Sequence, residues 1–126
     1  MKLQPDRASV PTVRAYDRDW ILVDQQRFEQ TVVVSALPGQ APQAVADDGQ
    51  PDALAQALQA LSQSGAETVI YGSGARLVFP PRAWMQAFAQ ARVGLEVMDT
   101  AAACRTYNIL ASEGRNVVAA LLMEKP

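Results

Sequence analysis

The sequence predicts an α/β fold: one three-layer domain in which a central mixed sheet is flanked by helices and carries an added N-terminal β-hairpin. Three observations lead there. The second half alternates short apolar runs with amphipathic stretches, the pattern of βα units on a largely parallel or mixed sheet. The first half carries β-branched runs separated by short polar turns. Finally, 126 residues that are 49% hydrophobic and 19% charged can bury one core without a disulfide or metal staple, so residues 1–126 are read as a single domain.

The elements follow in order. Residues 1–12 hold Pro5 and Pro11 with no period and read as a flexible lead-in. Residues 12–16 and 20–23 form two short strands joined by the turn Asp17-Arg18-Asp19. Asp24-Gln25-Gln26-Arg27 makes a second turn. Residues 28–35 contain Thr31-Val32-Val33-Val34, a consecutive apolar run suited to a strand covered on both faces. Residues 36–51, with three prolines and two glycines, form the longest connection. Asp52 is expected to cap a helix reaching Ser62, with Leu54, Leu58 and Leu61 on one stripe and Gly65 as its stop. Thr68-Val69-Ile70-Tyr71 reads as a buried strand leading into Gly72-Ser73-Gly74. Pro80-Pro81 opens a second helix to about Arg92, with Trp84, Phe88 and Ala91 aligned. Residues 93–98 form a third strand of this half, Asp99-Thr100 begins a third helix to Ser112, Gly114 ends it, and residues 116–122 form the final strand.

Composition removes several function classes. With no histidine and one cysteine, Cys104, the chain has no histidine-based triad, no intramolecular disulfide and none of the usual histidine or cysteine zinc sites. Lys2 and Lys125 are the only lysines and lie near the termini, which leaves the body without a Schiff-base lysine. A net charge of -2 argues against nucleic acid as a partner. No run approaches the roughly 20 apolar residues of a transmembrane segment, and the first residues lack a signal-peptide core, so a soluble, cytoplasmic chain is expected. No metal and no cofactor are expected either.

Several residues invite a chemical reading, each beside a structural one. Gly72-Ser73-Gly74 follows a buried strand, where backbone N–H groups could cradle a small anionic ligand with Arg76 beside them. Leu77 stands where a dinucleotide fingerprint needs its third glycine, so a plain turn is the preferred reading. Cys104, next to Arg105 in sequence, is read as a buried filler in preference to a reactive thiol. Thr106, Tyr107 and Asn108 read as a structural hydrogen-bond network or a pocket wall. Asp99 reads as a helix cap before a general base. The pairs Asp47-Asp48 and Asp17 with Asp19 read as solvated turn residues; Trp20, Trp84 and Phe88 read as core; Arg82 and Arg92 are placed on the exposed face of the second helix.

One family pattern joins these segments. Val69-Ile70-Tyr71-Gly72-Ser73-Gly74, Phe79-Pro80, the run from Gly94 through Met98-Asp99-Thr100 and Thr106-Tyr107-Asn108 to Leu110, and Glu113-Gly114-Arg115 resemble the family that includes mitochondrial respiratory complex I assembly factor 3 and the adipogenesis-associated domain protein, with many prokaryotic members. The resemblance covers about residues 67–122, and Ser35-Ala36-Leu37-Pro38 looks like the family's strand-ending segment. It implies the same three-layer fold and an assembly or accessory role exerted through protein partners. If the family has a pocket, the matching residues are Gly72, Ser73, Gly74, Asp99, Thr100, Cys104, Arg105, Thr106, Tyr107 and Asn108. The leading expectation is therefore a non-enzymatic accessory module that binds a protein partner and has no catalytic residues. The alternative is a small-molecule or anion-binding α/β domain, with or without catalysis, built on the glycine loop and the start of the third helix.

Overall fold

The computed structural model describes residues 10–45 and 51–124, with the backbone alone for Pro51 and Asp52. The expected lead-in over residues 1–9 and the Asp47-Asp48 pair lie outside the described residues. Residues 10–12 are tied into the fold: Thr12 donates its N–H to the Asp24 carboxylate at 3.1 Å, and the Pro11 carbonyl accepts from the Tyr107 hydroxyl at 2.8 Å.

The N-terminal hairpin is present and has a third strand. β1 (Val13–Tyr16), β2 (Ile21–Val23) and β3 (Gln26–Phe28) form an antiparallel sheet in that order. The second turn is tighter than the polar run 24–27 suggested, because Asp24 adopts a left-handed backbone (φ 52°) and the chain re-enters a strand at Gln26. Residues 28–35 accordingly split: Phe28 closes β3, and β4 is Val32–Ser35.

β4 belongs to the central sheet with β5 (Gln43–Ala44), β6 (Thr68–Gly72), β7 (Gly94–Met98) and β8 (Val117–Leu121), in the order β5-β4-β8-β6-β7. β6 runs parallel to β7 and β8, whereas β4 is antiparallel to β8 and β5, so the sheet is mixed. β5 lies inside the connection expected to be irregular; its two residues are exposed and carry no apolar pattern that would announce a strand.

Helices cover both faces. α1 (Pro51–Leu61) and α2 (Arg82–Ala91) lie on one side, where Leu58 and Phe88 pack on Val69, Tyr71, Val118 and Ala120. α3 (Thr100–Ser112) and the three-stranded sheet cover the other, where Cys104 and Tyr107 meet Ile70, Ala119 and Leu121 together with Val13, Ile21 and Val23. Every residue of β8 is buried, as an unbroken apolar run between two covered faces requires.

The ends of the helices refine the expectations. Asp52 lies within α1 (Pro51–Leu61) and not ahead of it. Arg92 is not on the face of α2 but at its C-cap, in the left-handed conformation (φ 60°). Phe88 is core and Trp84 is packed at its margin, whereas Trp20 is half-buried beneath the Arg27 guanidinium, 4.9 Å from its ring centre.

Candidate functional site

The glycine loop is built by close approach. A Cβ on Gly72 would lie 3.0 Å from the Ala103 Cβ and 3.2 Å from the Thr100 Cα, so the absence of a side chain lets the start of α3 press onto the end of β6. Gly74 has φ 103°, a conformation open to glycine and strained for other residues.

The polar groups of this region are spent on one another. Gly74 donates its N–H to the Thr100 hydroxyl at 2.8 Å, and that hydroxyl donates to the Leu122 carbonyl at 2.6 Å. Thr100 returns its own N–H to the Gly74 carbonyl at 2.9 Å. The Ser73 N–H donates to the Met98 carbonyl at 2.8 Å; its hydroxyl donates to the Arg76 carbonyl at 2.6 Å and accepts from the Val78 N–H at 3.0 Å. Asp99 is the N-cap of α3, accepting from the Ala102 N–H at 2.8 Å. The donors that a bound anion would use are thus directed at the fold itself, and Arg76 stands exposed beyond them.

The helical residues form a second, separate group. The buried Tyr107 hydroxyl holds the Pro11 carbonyl, and burial, followed by the Asp24 charge, raises its pKa. Asn108 takes the Val13 N–H on its Oδ1 at 2.9 Å and gives its Nδ2 to the Val13 carbonyl at 2.8 Å, acting as a substitute strand partner for β1. Arg105 donates to the Tyr16 hydroxyl at 3.0 Å on the surface, and Thr106 is half-buried. Cys104 is 1% exposed, and burial, reinforced by the Glu124 charge and opposed by Arg105, pushes its thiol up to about 12. A thiol in that state is a poor nucleophile at neutral pH. Most of the eleven candidates therefore divide into a loop lock around Thr100 and a seam between α3 and the N-terminal strand, with the Arg76 side chain exposed outside both and Cys104 in the core.

Two features were not singled out by sequence. The first is the stretch Leu77-Val78-Phe79, with 58%, 58% and 59% of each residue exposed. It follows the glycine loop after Ala75 and Arg76 and is presented by the Ser73 hydroxyl, which holds the backbone N–H of Val78. Sequence marked Leu77 merely as the residue that breaks a nucleotide fingerprint; an aperiodic apolar run before Pro80 was the available signal. The second is a cleft of about 510 Å³ at the other end of the sheet, between the exit of β4 (Ala36, Leu37, Pro38) and the entry to β8 (Gly114, Arg115, Asn116). Its walls include parts of two of the family-like segments, distant in sequence and joined by the antiparallel pairing of β4 with β8, together with Val10, Pro11, Asp24 and the chain after Pro38.

Among the described residues no group of three or more His, Cys, Asp or Glu could hold a metal ion, and no helix is long and apolar enough to cross a membrane. Solved structures share the architecture. A Bordetella parapertussis protein is 34% identical with a TM-score of 0.77, the match covering 90% of this chain and 96% of that one. A Bordetella pertussis protein described as an Mth938-like domain is 30% identical with a TM-score of 0.74, covering 98% and 93%. In sequence, the chain is 25% identical over 118 residues, 93% of its length and 95% of the relative's, to a Francisella tularensis protein named "13 kDa major membrane protein". With residues 13–122 matching its model, the chain belongs to the family described as protein of unknown function (DUF498/DUF598).

Proposed function

We propose that this domain is an accessory module that works by docking a protein partner, without chemistry of its own. The observation that carries the reading is the exposed Leu77-Val78-Phe79 stretch, three consecutive apolar residues held out on a loop whose backbone is fixed by Ser73. The groups that would otherwise suggest catalysis are committed elsewhere: Asp99 to capping, Thr100 and Ser73 to the loop, and Cys104 to the core. The resemblance to the complex I assembly factor family favours an assembly-type role, and a cytoplasmic location belongs to the same reading. Site-specific photo-crosslinking tests it. A crosslinking phenylalanine analogue at position 78 is expected to trap a discrete partner in cells, and the band should vanish when Leu77 and Phe79 become Ser. A pattern no different from that of the same probe at exposed Gln59 on α1 would sink the reading.

A further inference from the structure

The exposed loop adjoins a sheet edge with a defined pattern of backbone groups. The Gly94 N–H donates to the Glu67 carbonyl at 3.2 Å and the Ser73 N–H to the Met98 carbonyl at 2.8 Å, which fixes the alternation along β7: Gly94, Glu96 and Met98 turn their backbone groups toward β6. Those of Leu95 and Val97 turn outward, and among the described residues no strand pairs with that edge. The Ser73 hydroxyl lies 3.2 Å from the Met98 carbonyl and 3.0 Å from the Val78 nitrogen, so the apolar stretch stands at the C-terminal end of this edge.

Charge marks the loop beside this edge. All 13 acidic residues of the chain lie outside residues 68–95, whereas Arg76, Arg82 and Arg92 lie inside. Arg76 and Arg82 flank the apolar stretch, are exposed, and take part in none of the ion pairs Arg14–Asp24, Arg27–Glu29 and Arg115–Glu67. Resting on the docking reading above, we propose that the outer edge of β7 and residues 76–82 receive an extended segment of a partner protein as a sixth strand of the central sheet, with apolar side chains against Leu77 and Phe79 and carboxylates against Arg76 and Arg82. The exposed Glu96 excludes a carboxylate at the middle of that strand. For a second copy of the chain, the pairing of two β7 edges about their centre is disfavoured, because it sets Glu96 against Glu96. A bilayer would take Leu77 and Phe79 but would give the outward backbone groups of Leu95 and Val97 no hydrogen-bond partners, so lipid uses only part of the surface.

The test uses the full chain and two capped peptides, each a Thr-Val-Thr-Val stretch with Glu-Phe-Glu at its C-terminal or its N-terminal end, for parallel or antiparallel addition. Amide exchange is followed by NMR. One peptide is expected to slow exchange at Leu95 and Val97 by about tenfold or more while leaving Glu96 and Met98 unchanged, an alternate-residue signature of strand addition. The R76E/R82E and L77S/F79S variants, altered on exposed positions, should each weaken binding by about tenfold. The proposal is overturned if neither peptide protects those amides at millimolar concentration, or if Lys-Phe-Lys ends bind as well. It is equally overturned if the protein self-associates through the edge, or if vesicles of phosphatidylcholine and phosphatidylglycerol capture it and the peptides do not. A crosslink at position 78 without protection at Leu95 and Val97 would leave protein docking standing and remove strand addition.

Discussion

Replacing Thr100 by Val removes one hydroxyl and keeps the shape of the side chain, which isolates the lock that closes the glycine loop. Thr100 is 2% exposed, and its hydroxyl joins three elements: it accepts from Gly74 beyond β6, donates to Leu122 beyond β8, and sits on the first turn of α3. Without it, the buried Gly74 N–H has no acceptor and the half-buried Leu122 carbonyl has no donor. Leaving a buried polar group unsatisfied costs about 1–3 kcal/mol, and water can reach the half-buried carbonyl, so the expected loss is about 2–4 kcal/mol. For a domain of this size that lowers the melting temperature by about 6–15 °C. Urea unfolding of the wild type, Thr100→Val and Thr100→Ser measures it. Serine keeps both hydrogen bonds and gives up a methyl group, so it should cost about 1 kcal/mol. The reasoning fails if Thr100→Val stays within about 0.5 kcal/mol of the wild type, or if Thr100→Ser is as damaging as Thr100→Val.

Tyr107→Phe frees the buried Pro11 carbonyl and should destabilise the domain by about 1–2 kcal/mol, with faster proteolysis near residues 10–13 than in the wild type; an unchanged cleavage rate would contradict the tether. Gly74→Ala forces a Cβ into φ 103° and to 3.2 Å from the Met123 carbonyl, and should cost about 1–3 kcal/mol by the same urea assay, whereas a neutral result would mean that the loop relaxes freely. Alkaline pH should weaken the fold. Burial raises the Cys104 thiol from 9.0 to about 12 and raises the Tyr107 and Tyr71 hydroxyls as well, so the unfolded chain loses these protons first. The native state then holds more protons, and stability falls as pH climbs from about 9 toward about 12. Urea titrations across that range check the direction, and the slope should shrink in Cys104→Ala. A thiol reagent at neutral pH should label Cys104 no faster than the domain unfolds.

Much of the framework was legible because local chemistry dictated it. Asp99 ahead of a helical stretch is a cap from sequence and a cap in the structure, since the geometry of a helix start needs one nearby acceptor. Val117-Val118-Ala119-Ala120-Leu121 reads as a doubly covered strand and lies fully buried. The errors fell where the signal was short or non-local. β3 and β5 have three and two residues, too few for a period to register, and each exists because a neighbouring strand supplies hydrogen bonds.

The candidate residues show the same division. Sequence grouped Gly72, Ser73, Gly74, Asp99 and Thr100 with Arg76 and residues 104–108 as one candidate pocket; it could not say where their donors point, and the structure turns those of the glycine loop onto Met98 and Thr100. Sequence by itself determined the α/β class, the exclusion of histidine and disulfide chemistry, and the run of small and polar residues that lets α3 pack closely. Tertiary structure decided that the Gly74 N–H is taken by the Thr100 hydroxyl, that Cys104 is sealed in the core, and that Leu77-Val78-Phe79 stays outside. The physical reason is that composition and spacing record which groups need partners or burial, while the partner each one finds depends on strands and helices brought together from distant parts of the chain.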